Sequence, residues 1–455
     1  MPLASTFVQN AHRVMISCEP KWVEHAIWWH IYPIGFLGAP QTADSGRVNH
    51  RMRTLLNWLD YAVELGVSGI LLGPIFSSST HGYDTTDYFT IDSRLGDRDD
   101  FVSFVEAAQR RGLRILLDGV FNHVGRDFPA FKRVTNESED KSADSNWFRK
   151  RYDADSLTGE LMYETFEGHD QLIALNHANS EVASFVTNIM CHWLEAGIDG
   201  WRLDAAYAVP TDFWASVIAR VRHQYPSAYF VAEVLHGDYS SIVKSAGFDS
   251  VTQYELWKAL WSSINDRNWF ELAWALDRNN SYLDTFKPLT FVGNHDVTRI
   301  ASQIQDSRHL EHVIVLLFTL GGTPCIYYGD EQAFIGIKEH RVGGDDAIRP
   351  SFPHDGPTAL AHTGWHFYRL HQRLIGFRRR HSWLHSSRTK VLYLTNHQFV
   401  FQSYTNDGSI TVALNLSDEP LKLAGSGSSQ QVLGDRATES GNDWIIPPHR
   451  WAVFA

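Results

Sequence analysis

The sequence predicts an α/β protein built on a (β/α)₈ TIM barrel, with a small subdomain inserted after the third strand and a C-terminal antiparallel β-domain. Two observations carry this prediction. Short apolar runs alternate with amphipathic stretches until about residue 380, where the pattern changes to short strands. One connection within the alternating part is about 50 residues long, which is too long for an ordinary loop. A chain of 455 residues is long enough for a barrel and a smaller second domain.

The barrel strands are predicted from runs that are continuously apolar, as strands covered on both faces should be. A closed parallel barrel of this type needs eight of them. The runs are AIWWHIYPIGF (26–36), VSGILLGPIF (67–76), LRILLDGVFNH (113–123), IDGWRLDAAY (198–207), YFVAEVL (229–235), SVTQYEL (250–256), LTFVGNH (289–295) and TPCIYYGDE (323–331).

Helices are predicted between the strands. Amphipathic patterns cover residues 51–66, 100–112 and 309–322, and the last two end in glycine, as helices often do. The repeat is interrupted at 124–176, where no helix–strand pattern is visible, so we predict an inserted subdomain there, overhanging the catalytic end of the barrel.

The barrel is accordingly assigned to residues 1–123 and 177–380, and a C-terminal β-sandwich domain to 381–455. The C-terminal assignment rests on short strands such as QFVFQSYT and SITVALNLS, which are separated by turn signals such as NDG.

Composition narrows the class of protein. A net charge of −12 argues against a nucleic-acid partner. Cys18, Cys191 and Cys325 are odd in number and far apart, so they suggest no disulfide framework. There is no secretory signal and no apolar run of transmembrane length, so we expect a soluble, cytoplasmic protein without a membrane partner.

The polar residues of interest follow the predicted strands, at the end of the barrel where such folds carry their catalytic groups. Single buried acids at strand ends are more often ion pairs or helix caps, and a lone histidine is often a core residue. Three carboxylates, an arginine and two histidines at one barrel mouth instead favour a catalytic site. In chain order these residues, with two neighbours, are Asp118, Asn122, His123, Arg202, Asp204, Glu233, His295 and Asp296.

The three carboxylates suit the hydrolysis of a glycosidic bond. Arg202 and Asp204 are two residues apart on a strand and point the same way, so the guanidinium is expected to lower the pKa of Asp204 and keep it ionised as a nucleophile. Burial and like charges are expected to raise the pKa of Glu233, which suits a general acid. A third carboxylate, Asp296, suits a transition state that develops positive charge, as in retaining glycosidases.

Four segments, DGVFNH, GWRLDAAY, VAEVLH and FVGNHD, resemble in order the signature segments of the α-amylase family, glycoside hydrolase family 13. The resemblance spans residues 26–380 and implies Asp204 as nucleophile, Glu233 as acid/base and Asp296 as transition-state stabiliser. It also implies a set of residues around the sugar at the cleavage point, with the Tyr83 of HGYDTTDYFTID stacking on that sugar and Asp118 holding the inner network. That set is Tyr83, His123, Arg202 and His295.

The chain is most similar to the subgroup of cyclomaltodextrinases, neopullulanases and maltogenic amylases, on the stretches HGYDTTDYF, YETFEGHDQLIALN and GTPCIYYGDE. GGDDAIRP resembles the stretch whose Asp and Arg reach the non-reducing side of the cleaved bond, which implies Asp346 and Arg349, although its spacing is one residue short. ALN replaces a proline-containing version in the subgroup. The barrel begins near residue 26, which leaves no room for the N-terminal domain through which members dimerise, so a monomer is expected. A relative without that domain, which hydrolyses cyclic maltosyl-maltose, is also similar.

The expected activity is hydrolysis of α-1,4 or α-1,6 glucosidic bonds in short or cyclic maltooligosaccharides such as cyclodextrins. Two alternatives stay open: transglycosylation by the same carboxylates, and a non-catalytic scaffold, whose expected mark would be a missing carboxylate. Four aromatic residues of the insertion could line the substrate cleft, or they could form the small core of the insertion itself. They are Trp147, Phe148, Tyr163 and Phe166.

No cofactor and no catalytic metal are required by this chemistry. A structural calcium ion stays possible because Asn122 matches a calcium-binding position of many α-amylases. The acidic residues of the insertion lack the spacing of a calcium loop, and a solvated acidic loop is the preferred interpretation. They are Glu137, Glu139, Asp140 and Asp144.

Overall fold

A computed structural model describes residues 19–42, 47–136, 146–152, 161–424, 430–434, 437–441 and 443–455. Cys191 and Cys325 are free thiols, and Cys18 lies outside the described residues. Over the described ranges, no helix is both long and apolar enough to cross a membrane.

Eight parallel strands form the barrel, and each lies within one of the predicted apolar runs. Their order in the sheet is β6-β5-β4-β3-β2-β1-β8-β7, and a parallel bridge from Thr252 to Leu289 joins the two ends. The predicted α/β barrel is therefore confirmed. The strands are β1 (Trp28–Ile31), β2 (Gly69–Leu72), β3 (Arg114–Gly119), β4 (Gly200–Leu203), β5 (Tyr229–Ala232), β6 (Ser250–Val251), β7 (Leu289–Phe291) and β8 (Thr323–Tyr327).

Helices cover the outside of the barrel. The first predicted helix, 51–66, begins as a 3₁₀ helix, Arg51–Trp58, and continues as α1 until Gly66 adopts a left-handed φ of 101°. The α-helices are α1 (Leu59–Leu65), α2 (Arg98–Arg110), α3 (Ser180–Glu195), α4 (Thr211–Gln224), α5 (Tyr239–Ala246), α6 (Tyr254–Asn265), α7 (Trp269–Tyr282), α8 (Leu310–Thr319) and α9 (Trp365–Arg380), with shorter helices at Pro33–Phe36, Pro129–Asn136 and Ile300–Gln303.

Two apolar clusters hold this part together. A small cluster fills the barrel interior and includes Trp28, Leu71, Tyr229 and Phe291. A much larger cluster lies between strands and helices, so both faces of each strand are covered and the continuous apolar runs are explained.

The inserted segment contains short antiparallel strand pairs, His123–Gly125 with Leu172–Ala174 and Lys150–Tyr152 with Leu161–Tyr163. The first pair begins at His123, shortly after β3 ends at Gly119. The insertion therefore rises from the same end of the barrel as the predicted catalytic residues.

The C-terminal part is made of antiparallel strands, as predicted. A five-stranded sheet has the order β9-β10-β11-β16-β13, and a three-stranded sheet has the order β12-β15-β14. Val400 and Phe454 of the first sheet share an apolar cluster with Leu421 and Ile446 of the second, so the sheets pack face to face. The strands are β9 (Arg388–Leu394), β10 (Gln398–Tyr404), β11 (Ser409–Asn415), β12 (Leu421–Ala424), β13 (Gln431–Gly434), β14 (Thr438–Ser440), β15 (Asp443–Ile446) and β16 (Trp451–Phe454).

Candidate active site

The carboxyl ends of neighbouring strands bring the predicted acids together. Asp118 lies in β3, Asp204 directly follows β4 and Glu233 directly follows β5. The backbone N–H of Asp204 donates to Gly119 of β3, and that of Glu233 donates to Leu203 of β4. The parallel ladder therefore extends past the strand ends and fixes where these side chains begin.

The guanidinium of Arg202 lies at the centre of this group. Its Nη1 donates to both carboxylate oxygens of Asp118, at 2.7 and 2.6 Å, and to Asp204 Oδ1 at 3.0 Å. Its Nη2 lies 2.7 Å from Glu233 Oε1. All four side chains are buried. One cation thus positions three carboxylates from three strands.

The expected lowering of the Asp204 pKa is wrong. Burial raises the pKa of Asp204 well above its usual range, and the negative charges of Glu233, Asp118 and Asp296 raise it further, which outweighs the opposing effect of Arg202. The pKa of Asp118 is raised as well, mainly by burial. Three buried carboxylates sharing one guanidinium carry excess negative charge, so the cluster holds a proton readily.

Glu233 is oriented by further donors. The backbone N–H of Ala205 donates to its Oε2 at 3.0 Å, and the hydroxyl of Tyr254 donates to its Oε1 at 3.1 Å. Asn294 in turn donates to the Tyr254 hydroxyl at 2.8 Å. Ala205 adopts a left-handed φ of 43°, which is uncommon for alanine and accompanies the contact of its N–H with the carboxylate.

Asp296 is held from the opposite side. Arg349 Nη2 lies 3.0 Å from its Oδ1, and His295 Nε2 lies 3.0 Å from its Oδ2. Its side chain is 37% exposed, so one face remains open to the cleft. Burial would raise the pKa of Asp296, but His295, Arg349 and Arg202 together lower it, so this carboxylate stays ionised.

Tyr83 and His295 form an aromatic floor beside the acids. Their rings stack at 5.2 Å with an interplanar angle of 3°, and Tyr32 stacks on His295 at 5.9 Å. The Tyr83 hydroxyl donates to Asp118 at 3.1 Å and also contacts His295 Nε2. The partly exposed Tyr83 ring can lie against the apolar face of a sugar.

His123 is buried behind this floor. Its Nε2 lies 3.1 Å from the carbonyl oxygen of Tyr83, and Phe166 of the insertion stacks on its ring at 4.8 Å. Burial lowers the pKa of His123 to about 3, so the imidazole is neutral at neutral pH.

The GGDDAIRP stretch places its two acids differently from the expectation. Arg349 Nη2 lies 2.9 Å from Asp345, whereas Asp346 is exposed at the rim, 3.4 Å from the amide of Gln41. The short 3₁₀ helix Asp346–Ile348 separates Asp345 from Arg349 by one turn, so that these two side chains meet. Asp345 is thus the acidic partner of Arg349, which is consistent with the unusual spacing noted in the sequence.

Of the four insertion aromatics, three pack within or beside the insertion. The rings of Phe148 and Tyr163 each lie edge-on to the ring of Phe131, with centroids 5.1 Å apart. Trp147 donates its indole N–H to Glu181 at 2.9 Å. Phe166 alone among the four contacts a predicted site residue, His123.

A structural calcium ion near Asn122 stays a prediction. The side-chain amide of Asn122 contacts His123 Nδ1 at 3.1 Å. The acidic residues Glu137, Glu139, Asp140 and Asp144 lie outside the described residues. Within the described ranges, two groups of histidine and carboxylate side chains have ligand atoms close enough to share a metal ion; they are Asp306, His309 and His449, and His50, Asp97 and Asp100.

Tyr254 and Asp345 are two site residues that were not predicted from the sequence. Tyr254 follows β6, so the rule that residues after barrel strands face the site could have identified it. Asp345 lies one position before the predicted acid, and only the turn geometry distinguishes the two.

Comparison with known proteins gives a consistent result. A family model described as "Alpha amylase, catalytic domain" matches residues 31–387. A cyclomaltodextrinase of Geobacillus thermopakistaniensis is 28% identical over 479 residues, which cover 98% of this chain and 79% of the relative. A cyclomaltodextrinase of a Bacillus species is 33% identical over 341 residues, which cover 70% of this chain and 61% of the relative. The second alignment thus spans about three fifths of that relative's length.

Solved structures agree. A cyclomaltodextrinase structure superposes with a TM-score of 0.81 at 27% identity, covering 96% of this chain and 79% of the other. The cyclic α-maltosyl-(1→6)-maltose hydrolase of Arthrobacter globiformis superposes with a TM-score of 0.79 at 24% identity, covering 96% of this chain and 99% of the other. At that identity the second likeness concerns the fold alone.

Proposed function

Because the chain belongs to the α-amylase family of glycoside hydrolases, we propose that it cleaves α-glucosidic bonds by double displacement, with Asp204 as nucleophile, Glu233 as acid/base and Asp296 as stabiliser of the transition state. The observation that supports this most is the shared guanidinium of Arg202, which holds Asp204 and Glu233 on its two terminal nitrogens. Retaining glycosidases need these two carboxyls about 5–5.5 Å apart.

In the first step, Asp204 Oδ attacks the anomeric carbon while Glu233 gives its proton to the glycosidic oxygen. The bond from that carbon to the leaving group breaks, and a β-glycosyl ester on Asp204 forms. This step requires the protonated form of Glu233 and the ionised form of Asp204.

In the second step, Glu233 takes a proton from water, and the water oxygen attacks the anomeric carbon. The ester bond breaks, Asp204 leaves as a carboxylate, and an α-configured product is released. A sugar hydroxyl in place of water would give transglycosylation. Asp296 is ionised in both steps and faces the positive charge that develops on the sugar ring.

We infer that the substrates are short or cyclic maltooligosaccharides. Their α-1,4 bonds are the main target, and α-1,6 bonds are a second target. Support comes from the two similar relatives described above, both of which are cyclomaltodextrinases. No cofactor is needed for either step. The substrate class is tested by measuring kcat/KM for maltotetraose, cyclodextrins, cyclic maltosyl-maltose and soluble starch. An equal kcat/KM for starch would contradict the preference for short or cyclic substrates.

The catalytic assignment is tested with Asp204→Asn and Glu233→Gln. Each amide keeps the shape of the acid but removes the nucleophile or the transferable proton, so we expect turnover of maltotetraose to fall by at least about 100-fold with the fold intact. Circular dichroism and thermal melts check folding. A Glu233→Gln enzyme with more than about a tenth of wild-type activity would refute the role of Glu233.

Stereochemistry provides an independent test. Early-time NMR of the newly released reducing end should show the α-anomer first, because two inversions retain configuration. A β-anomer as the first product would exclude the covalent intermediate.

The expected monomer also stays a prediction, which light scattering tests against the chain mass of 51.8 kDa.

A further inference from the structure

Two buried histidines pack against each other at the base of the active site. His30 lies in β1, and His295 follows β7. Their ring centroids are 5.2 Å apart, with an interplanar angle of 86°. His30 Nε2 and His295 Nδ1 are both buried, and neither has a hydrogen-bond partner among the residues that the structure describes. Buried polar atoms are nearly always paired with protein or with ordered water, so we expect these two nitrogens to share a further partner.

Both histidines line one small cavity in the barrel interior. Its volume is about 20 Å³. A buried water molecule needs about 10–15 Å³, so this space holds one water molecule and no larger ligand. Apolar side chains of the barrel interior, such as Leu71 and Phe291, form part of the lining, and Asn294 adds a polar one.

The contacts of His295 Nε2 define where the ring hydrogen of His295 lies. Asp296 Oδ2 is 3.0 Å from this nitrogen. The Tyr83 hydroxyl also contacts it, and that hydroxyl donates its hydrogen to Asp118. Both neighbours of Nε2 are therefore acceptors, which places the ring hydrogen on Nε2. Nδ1 then carries a lone pair and needs a donor.

His30 is suited to supply that donor. Its strand pairs with β2 and β8, and its ring packs on Tyr327 with centroids 5.4 Å apart, so the barrel fixes its position. Burial lowers the pKa of His30 well below its usual range, so its imidazole is neutral. A neutral imidazole carries a hydrogen on one nitrogen and a lone pair on the other.

We propose that His30 is a positioning residue, which orients Asp296 through one buried water molecule and His295. With its hydrogen on Nε2, His30 donates to the water, and the water donates to His295 Nδ1. The ring of His295 is thereby held with its Nε2–H directed at Asp296 Oδ2. This role rests on the proposed function, in which Asp296 stabilises the transition state.

The hydrogen-bond chain is tested on the wild-type protein. High-resolution X-ray diffraction should show a water molecule within hydrogen-bond distance of both His30 Nε2 and His295 Nδ1. With ¹⁵N-labelled histidine, NMR at neutral pH should show His295 as a neutral ring with its hydrogen on Nε2, and the signals lost in His295→Gln identify this residue. The lack of such a water, an imidazolium ring, or a hydrogen on Nδ1 would overturn the proposal.

Two variants of His30 test its effect on catalysis. Phenylalanine keeps a ring but removes the donor, whereas the amide of glutamine can still donate to the water. We expect His30→Phe to lower kcat for maltotetraose by about fivefold or more and to change KM by less than about twofold, because the lost interaction supports the transition state. His30→Gln should recover most of this kcat. Thermal melts check folding.

His371→Phe is the matched control. His371 is also buried, but it lies in α9 on the outside of the barrel and contacts the carbonyl oxygen of Phe367 in the same helix. Its replacement should leave kcat at the wild-type value.

The outcomes separate this proposal from the proposed function. A His30→Phe enzyme with wild-type kcat, or a His30→Gln enzyme no more active than His30→Phe, would contradict the role of His30. If His30→Phe fails to fold, the diffraction and NMR results on the wild-type protein still decide the hydrogen-bond chain. A wild-type enzyme that cleaves no α-glucan would remove the proposed function and the catalytic role of His30, whereas the chain to His295 would still be judged by diffraction and NMR.

Discussion

At the scale of single residues, Arg349 is the side chain whose contacts say most about the site. Its Nη2 bridges Asp296 and Asp345, and its Nε donates to the carbonyl oxygen of His295 at 2.8 Å. A planar guanidinium can make these contacts together, which an ammonium cannot. Arg349 therefore both fixes Asp296 and helps keep it ionised.

We expect Arg349→Gln to shift the acid limb of the kcat/KM profile to higher pH. Removing the cation raises the pKa of Asp296, so the ionised form that stabilises the transition state begins to disappear at a higher pH. Activity at neutral pH should fall by about tenfold or more. Lys338→Gln is the control, because the acid with which Lys338 pairs among the described residues is Asp345, at 3.7 Å, and not Asp296. Superimposable wild-type and Arg349→Gln profiles would contradict the role of Arg349.

At the scale of secondary-structure elements, the spacing between β4 and β5 positions the nucleophile against the acid/base. β4 begins at Gly200, and a Cβ atom placed there would lie 2.1 Å from the carbonyl oxygen of Tyr229 in β5. The absence of a side chain lets the two strands pair closely, and Asp204 and Glu233 follow from their far ends.

Gly200→Ala should therefore separate these strands. We expect a loss of about 1–3 kcal/mol in the free energy of unfolding from the overlap, and a fall in kcat/KM as the two carboxylates move apart. Chemical denaturation and steady-state kinetics measure both. Gly376→Ala in α9 is the control, because its Cβ would meet nothing closer than Arg380 Nη1 at 3.6 Å, and alanine favours a helix. If Gly200→Ala kept wild-type stability and activity, Gly200 would not be needed for the close pairing of β4 and β5.

At the scale of the whole molecule, a histidine cluster joins the barrel to the C-terminal sheets. His309 Nε2 lies 3.0 Å from His449 Nδ1, and His449 Nε2 lies 2.8 Å from Asp418. His312 Nε2 contacts the carbonyl oxygen of Asn415 at 3.2 Å. Burial lowers the pKa of His309 to about 4 and that of His312 to about 3.

This cluster makes stability depend on pH. Both histidines are neutral when folded, and their unfolded pKa is about 6.5, so the unfolded chain gains protons first as the pH falls. The contribution of these two histidines to the free energy of unfolding is full above about pH 6.5. It falls as the pH decreases, down to about pH 4 for His309 and about pH 3 for His312, and the loss at pH 5 is roughly 2 kcal/mol per histidine. Thermal melts should show a lower Tm at pH 5 than at pH 7.5, with a smaller decrease in His312→Gln. An unchanged wild-type Tm would contradict the prediction.

Local sequence patterns were sufficient to predict the barrel, the C-terminal sheets and the set of acids at the strand ends. Continuous apolar runs predict strands that are covered on both faces. In a parallel barrel, the residues that follow the strands all lie at the same end of the barrel. Asp204, Glu233 and Asp296 could therefore be chosen from local pattern alone, and so could the α-amylase resemblance.

How these residues interact could not be predicted in this way, because it depends on the folded arrangement of distant parts of the chain. Arg202 is remote from Asp118 in sequence, yet its guanidinium contacts Asp118, Asp204 and Glu233 together. The raised pKa of Asp204 results from its burial and from the negative charges that share this guanidinium. The choice of Asp345 as the partner of Arg349 depends on a single turn. Pair energies and pKa values depend on distances between residues that are remote in sequence, and a sequence pattern carries no such distances.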